Sequence, residues 1–376
     1  MLVAAVLLLA LGMASLAGPA LAQQGDGSGE NQLPNCANKH PPGTADVPGG
    51  GTVTYDVPYV PGGGFDRQGD LYVPDGSGPF PAIVLLHGGG WAVGDKCWLS
   101  TQAASLEQSG FVAFSINYRL APKSCFPAQD QDTASAIRYL RENAAKYKID
   151  PSKIGLLGTS AGGQIAAMTA FQEGFGSSGS QVAAIASWSG PFDMVKVMQE
   201  RPNTQEIQTR ERQEVCLPTT APLADPATVS ALQKASISDQ KIPSDYPPTF
   251  IANAVTEFIP LDQAQAFYEK LRGLGVPTEM ITPPRGHATA YTQLAIQPTI
   301  DFFNQNVKND QGPNASPTPS PSSVSQSPPP VAIGQPTSGG SKTAVVIIVS
   351  IIVALIVIAA LLAQPAFSAW RRARRA

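Results

Sequence analysis

Hydrophobic and polar positions change their period along this chain. From residue 52 the order Thr-Val-Thr-Tyr-Asp-Val alternates polar with apolar, and after a Pro-Gly-Gly-Gly turn at 61–64 a second strand-like segment runs over 69–74. A period of two is that of a half-buried strand, so these segments predict an antiparallel pair joined by a turn. Past residue 80 the alternation disappears. Segments 81–86 and 110–118 are apolar almost throughout, as strands covered on both faces of a parallel sheet must be. Further strands are expected at 154–157, 182–187, 249–254 and 278–281. Helical stretches intervene at 101–109, at 130–147 with Ala134, Ile137, Leu140 and Ala144 at helical spacing, and in the Ala-rich run after Gly163. Strands alternating with helices predict βαβ units and an α/β fold.

One segment breaks this rhythm. Residues 194–247 are long, polar and partly helical in pattern, and they separate two core strands. Such an insertion reads as a lid over the carboxyl ends of the strands, where open α/β sheets bind ligands. The α/β domain is expected to span 52–306. Before it, 23–51 lacks hydrophobic periodicity and reads as a loose arm, to which Cys36 and His40 belong. After it, 307–341 is dominated by Pro, Ser, Gly and Gln and reads as an extended spacer.

The two ends carry a different signal. Residues 1–22 are apolar and close on Ala-Leu-Ala, the pattern of a cleaved signal peptide. Residues 344–363 form an uncharged run of 20, roughly 30 Å as a helix, which suits one membrane span. Arg371, Arg372, Arg374 and Arg375 follow it and Lys342 stands alone on its other side. That asymmetry predicts a cytoplasmic basic tail at 364–376 and a domain on the outer face of the membrane.

Composition removes several functions. A formal net charge of −3 and three histidines provide no basic field for nucleic acid. No Cys-x-x-Cys or His-rich spacing suggests a metal, and no cofactor is expected. The four cysteines are an even set in an exported chain, which favours disulfides. Cys97 and Cys125, each following a strand end on the same side of the sheet, are the first pair expected.

Chemistry concentrates in three places. Gly158-Thr159-Ser160-Ala161-Gly162 lies between an apolar strand and a helix, so Ser160 sits on a tight turn flanked by residues without bulk. This is the arrangement of a nucleophile elbow. His87-Gly88-Gly89-Gly90 follows the strand 81–86, and glycines there let backbone N–H groups approach a developing oxyanion. The N–H groups of Gly89, Gly90 and Ala161 are expected to converge on one point. With His40 in the arm and His87 in the glycine loop, His287 is left as the base; it follows the last strand on a loop at the sheet's carboxyl edge.

These motifs, together with Asn117-Tyr118-Arg119-Leu120-Ala121-Pro122, Phe126-Pro127-Ala128 and Ile149-Asp150-Pro151, make residues 52–306 resemble the α/β-hydrolase superfamily. Within it the chain is similar to the esterases of the hormone-sensitive lipase group. The resemblance implies a mostly parallel eight-stranded sheet with helices on both faces, and ester hydrolysis by a Ser, acid and His triad. Aligned from Pro260 backwards, the family's aspartate falls on Thr256, which carries no charge. Glu257, one methylene longer than aspartate, is the candidate acid, and Asp262, read as the N-cap of the next helix, is the other carboxylate nearby.

The expected protein is thus a membrane-anchored, extracytoplasmic serine carboxylesterase acting through an acyl-enzyme on a small-molecule or polysaccharide ester. The alternatives are an acyltransferase or peptidase with the same triad, or a catalytically weak surface binding module.

Overall fold

The computed structural model describes residues 43–47, 50–173, 179–201 and 203–309. The segments expected to be a signal peptide (1–22), a membrane span (344–363) and a basic tail (364–376), most of the one read as an arm and nearly all of the one read as a spacer lie outside the described residues, as do Cys36 and His40. Among the described residues no helix is long and apolar enough to cross a membrane.

Nine strands form one sheet: β1 (Thr44–Asp46), β2 (Thr52–Pro58), β3 (Gln68–Val73), β4 (Phe80–Leu86), β5 (Val112–Ile116), β6 (Ile149–Thr159), β7 (Ile185–Trp188), β8 (Thr249–Ala252) and β9 (Thr278–Ile281). Their order across the sheet is β1-β2-β3-β5-β4-β6-β7-β8-β9. The first three and their junction with β5 are antiparallel, and every later pairing is parallel. The sheet therefore has one strand more than the eight expected. The extra one, β1, belongs to the region read as a loose arm; exposed on all three residues, it pairs with the edge strand β2 through backbone bonds that need no hydrophobic signature.

Strand periodicity divides the core. On β4, Val84 and Leu86 point to one face while Ile83 and Leu85 point to the other, all fully buried. The first face is covered by α2 (Ala128–Glu142), α3 (Ala161–Glu173) and α7 (Leu261–Gly273), and the second by α1 (Ser100–Gln108) and α8 (Thr292–Phe303). A short π-helical turn, Asn304–Lys308, prolongs α8 and buries Val307 in the second core. The domain thus runs past 306, because Val307 has apolar neighbours to pack on.

The insertion between β7 and β8 folds as α4 (Met194–Glu200), α5 (Gln205–Glu214) and α6 (Pro226–Ala235). Cys216, just after α5, is bonded to Cys125, with 5.6 Å between the Cα atoms. The expected Cys97–Cys125 pairing is therefore incorrect. Cys97 lies buried on a 3-10 turn fastened to β5 by Ser115 Oγ, which donates to the Lys96 carbonyl, and it is disulfide-bonded to another partner. Cys125 instead meets the insertion, where the Phe126 N–H donates to the Glu214 carbonyl at 2.7 Å.

Two packing features place the loops above the sheet. A Cβ on Gly158 would lie 1.9 Å from the Gly162 carbonyl oxygen, and one on Gly162 would lie 2.1 Å from that of Leu86. The backbones of β6, α3 and the end of β4 thus touch directly. Beside them His87 stacks on Tyr118 with ring centroids 4.3 Å apart, and its Nδ1 donates to the Gly88 carbonyl at 2.7 Å. Burial lowers the His87 pKa to about 4, so the ring is neutral and only weakly basic at pH 7.

Two outcomes follow from this packing. Gly162→Ala drives a methyl into a carbonyl oxygen, and chemical denaturation should report a loss of about 3 kcal/mol or failure to fold. His87 binds its proton more weakly when folded than in the unfolded chain, where its pKa is about 6.5. Its contribution is therefore complete above pH 6.5 and is lost as the pH falls from there towards 4, by about 3 kcal/mol. Comparing denaturation at pH 7 and pH 4.5 should show this loss in the native protein and a smaller one in His87→Gln.

Candidate active site

Ser160 occupies the single residue between β6 and α3 with φ of 52°. That left-handed conformation is unfavourable for a residue with a side chain. It is held by the Ser160 N–H donating to the Trp188 carbonyl at 2.7 Å and by the Gly163 N–H donating to the Ser160 carbonyl at 2.8 Å. The glycines at 158 and 162 make the turn possible through contact, as the flanking pattern predicts. Ser160 is only 6% exposed, so its hydroxyl has few orientations available.

His287 comes from the loop after β9. Its Nε2 lies 2.9 Å from Ser160 Oγ, and its Nδ1 lies 2.6 Å from Glu257 Oε2. With the glutamate ionised, Nδ1 carries the ring proton and Nε2 is free to accept from the serine hydroxyl. The Glu257 side chain is fully buried and that of His287 is nearly so. A Phe258 ring lies against the imidazole at 3.9 Å between centroids.

Backbone pairing explains why Glu257, and not its neighbour, meets the histidine. Beyond β8 and β9 the two loops continue side by side. The N–H groups of Val255 and Thr256 donate to Pro283 and Pro284, the N–H of Gly286 donates to Thr256, and Thr256 forms a parallel bridge with Arg285. Thr256 is spent on this bridge. Glu257, one residue further, turns its side chain to His287, and its Oε1 accepts from the Ala254 N–H at 2.7 Å and from Ser189 Oγ at 3.0 Å. Asp262 lies elsewhere: it sits in the first turn of α7, whose N-cap is Pro260, and pairs with Lys196 Nζ at 2.7 Å. It is not the N-cap, and its carboxylate is committed to fastening α4 of the insertion to α7.

On the far side of Ser160, the glycine loop folds back on itself, the Gly89 carbonyl accepting from the N–H groups of Ala92 and Val93. Gly89 and Gly90 both have positive φ, 111° and 54°. The N–H groups of Gly89 and Gly90 find no acceptor among the described residues, and neither does that of Ala161, which opens α3. Three donors without an acceptor among the described residues thus lie on the glycine loop and at the start of α3. A Cβ on Gly88 would approach the Ser160 Cβ at 3.0 Å, so the loop and the elbow are in contact.

The insertion reaches this site. Arg201, at the end of α4, donates from Nε to the Phe258 carbonyl at 3.0 Å and from Nη2 to the Glu257 carbonyl at 3.3 Å. Val197 and Ile207 of the insertion pack on Ile259, with Phe258 beside them. On α5, the Arg210 stem lies where a Gly90 side chain would be, 2.8 Å from an ideal Cβ to Cγ. Sequence reasoning passed over Arg201, Phe258, Ser189 and Tyr291. For Ser189 a signal existed, a hydroxyl at the carboxyl end of a core strand; for Arg201, deep within a polar insertion, none did. Among the described residues no group of side chains is arranged to hold a metal ion.

Comparison with known proteins agrees with this construction. Esterase LipQ of Mycobacterium tuberculosis is 28% identical over 273 residues, covering 66% of this chain and 62% of LipQ. Carboxylesterase NlhH of the same organism is 41% identical over 91 residues, 24% of this chain and 28% of NlhH. The chain thus spans less than two thirds of either relative. Among solved structures, a truncated carbohydrate esterase from gut microbiota superposes with a TM-score of 0.60 at 27% identity, covering 68% of this chain and 96% of that one. The BD-FAE family model matches residues 70–271, more than half of the chain. On that match, and on a sheet and loop arrangement of the α/β-hydrolase kind, the chain belongs to the BD-FAE family.

Proposed function

We propose that this protein is a serine carboxylesterase. The observation that carries the reading is the unbroken line from Ser160 Oγ through His287 to the buried Glu257; three N–H donors on the glycine loop and at the start of α3, with no acceptor among the described residues, support it. His287 Nε2 takes the Ser160 proton as Oγ attacks the ester carbonyl carbon. The resulting oxyanion is held by the N–H groups of Gly89, Gly90 and Ala161, and Glu257 stabilises the imidazolium. Collapse passes the proton to the leaving alcohol and leaves an acyl-serine. Water, deprotonated by His287, then releases the acid and restores the hydroxyl.

The substrate proposed is a small-molecule or polysaccharide ester. The resemblance to a carbohydrate esterase at 27% identity supports the second kind. The leader pattern at 1–22, the apolar run at 344–363 and the arginines beyond it support a single-pass membrane protein with this domain outside and its C-terminus in the cytoplasm. The Pro- and Ser-rich segment 310–341 then acts as a spacer between the domain and the membrane.

Turnover of p-nitrophenyl acetate and of an acetylated oligosaccharide by the full-length protein tests the reading. Ser160→Ala and His287→Ala should remove turnover, and Glu257→Gln should lower kcat by about 10⁴-fold. Turnover indifferent to Ser160→Ala would end the proposal, and no turnover of either ester would favour a binding module.

A further inference from the structure

Glu257 stands one residue after the position where the resemblance implies an aspartate, and its longer side chain has one more rotatable bond to hold. What holds it is a pair of hydroxyls outside the triad. Ser189 follows β7 with φ of 55°, the same left-handed region as Ser160. Its Oγ lies 3.0 Å from Glu257 Oε1, 2.6 Å from Tyr291 Oη and 2.9 Å from the Ala288 nitrogen, which donates to it. One hydroxyl therefore touches the acid and the residue next to the base. Tyr291 Oη also lies 2.9 Å from the Ala252 carbonyl oxygen, at the end of the strand that leads to Glu257.

Proton counting selects one arrangement. Ser189 and Tyr291 have one hydroxyl proton each, and the acceptors on offer are Glu257 Oε1, the Ala252 carbonyl and each other. Ser189 donating to Glu257 while Tyr291 donates to the Ala252 carbonyl would leave the two hydroxyl oxygens, the closest pair at 2.6 Å, facing each other without a proton. So either Tyr291 donates to Ser189 and Ser189 to Glu257, or Ser189 donates to Tyr291 and Tyr291 to the Ala252 carbonyl. A hydrogen bond to a carboxylate is roughly twice as strong as one between neutral groups. The first arrangement therefore wins while Glu257 is ionised. Burial, with the nearby Glu257 charge, pushes the Tyr291 pKa well above its usual value, so the phenol keeps its proton to donate. The Ala288 N–H occupies a further lone pair of Ser189 and turns its proton towards the carboxylate.

We propose that Ser189 and Tyr291 are positioning residues, a two-hydroxyl relay that holds the Glu257 carboxylate in line with His287 Nδ1. The proposal rests on the esterase reading above. With Oε1 held by Ser189 and the Ala254 N–H, Oε2 has one orientation left, the one that meets His287. Neither hydroxyl touches the reacting atoms. Their influence passes entirely through Glu257.

A double-mutant cycle on the full-length protein reads this directly. Tyr291→Phe removes only the hydroxyl and keeps the ring beside Trp188; Ser189→Ala removes the middle of the relay. Each should lower kcat for p-nitrophenyl acetate on the order of tenfold while KM stays within about twofold. In the Glu257→Gln background the same substitutions should cause no further loss. Equal losses in both backgrounds, losses in KM alone, or no loss at all would overturn the relay. Should Ser189→Ala fail to fold, Tyr291→Phe completes the cycle by itself. Native turnover that survives Glu257→Gln also overturns the relay, and the Ser160→Ala control separates that result from failure of the esterase reading.

Discussion

The contact on which this site depends is the one between three backbones: the end of β6, the start of α3 and the end of β4. Gly158 faces the Gly162 carbonyl and Gly162 faces that of Leu86, with no room for a methyl at either place. Because the chain is that close, the turn between strand and helix spans one residue, and Ser160 is forced into a left-handed conformation with its side chain outward. The same contact fixes the start of the glycine loop, since His87 and Gly88 continue directly from Leu86. Ser160 and the glycine loop therefore share one mechanical origin, and His87, neutral and stacked on Tyr118, closes that corner.

His287 and Glu257 have a separate origin. Their loops leave β8 and β9 as neighbours and remain paired through Thr256 and Arg285 before turning over the sheet. A parallel ladder extended by two residues thus sets the distance between Glu257 and His287. The insertion acts on the same place from above, since Arg201 holds the carbonyls of Glu257 and Phe258, and Phe258 lies on the imidazole. Anchored by Lys196 to Asp262 and by Cys216 to Cys125, it packs against the Glu257–Phe258 backbone and against Gly90.

Local patterns in the sequence were enough for the parts that local physics governs. The α/β class followed from the change of hydrophobic period, and the position of Ser160 from a strand, a helix and flanking glycines. His287 followed from having so few histidines to choose from. The family resemblance is borne out by the BD-FAE match and by the fold. Two readings failed for one reason. The Cys97–Cys125 pairing and the eight-strand count both required knowing which distant segments meet: an insertion folding back on the loop at 125 in one case, a short exposed segment adding to an edge in the other.

By itself the sequence determined the fold class, the family and the residue types able to do acyl chemistry, because these depend on periodicity and on spacing within a single turn. Tertiary structure alone decided which carboxylate lies against His287 and what surrounds it. Thr256, Glu257 and Asp262 stand within seven residues of one another, yet one pairs backbone with a neighbouring loop, one is buried on the imidazole and one holds a lysine of the insertion. Their fates were set by strands, helices and an insertion far away in the chain, since hydrogen bonds and burial depend on distance in space and not on separation in sequence.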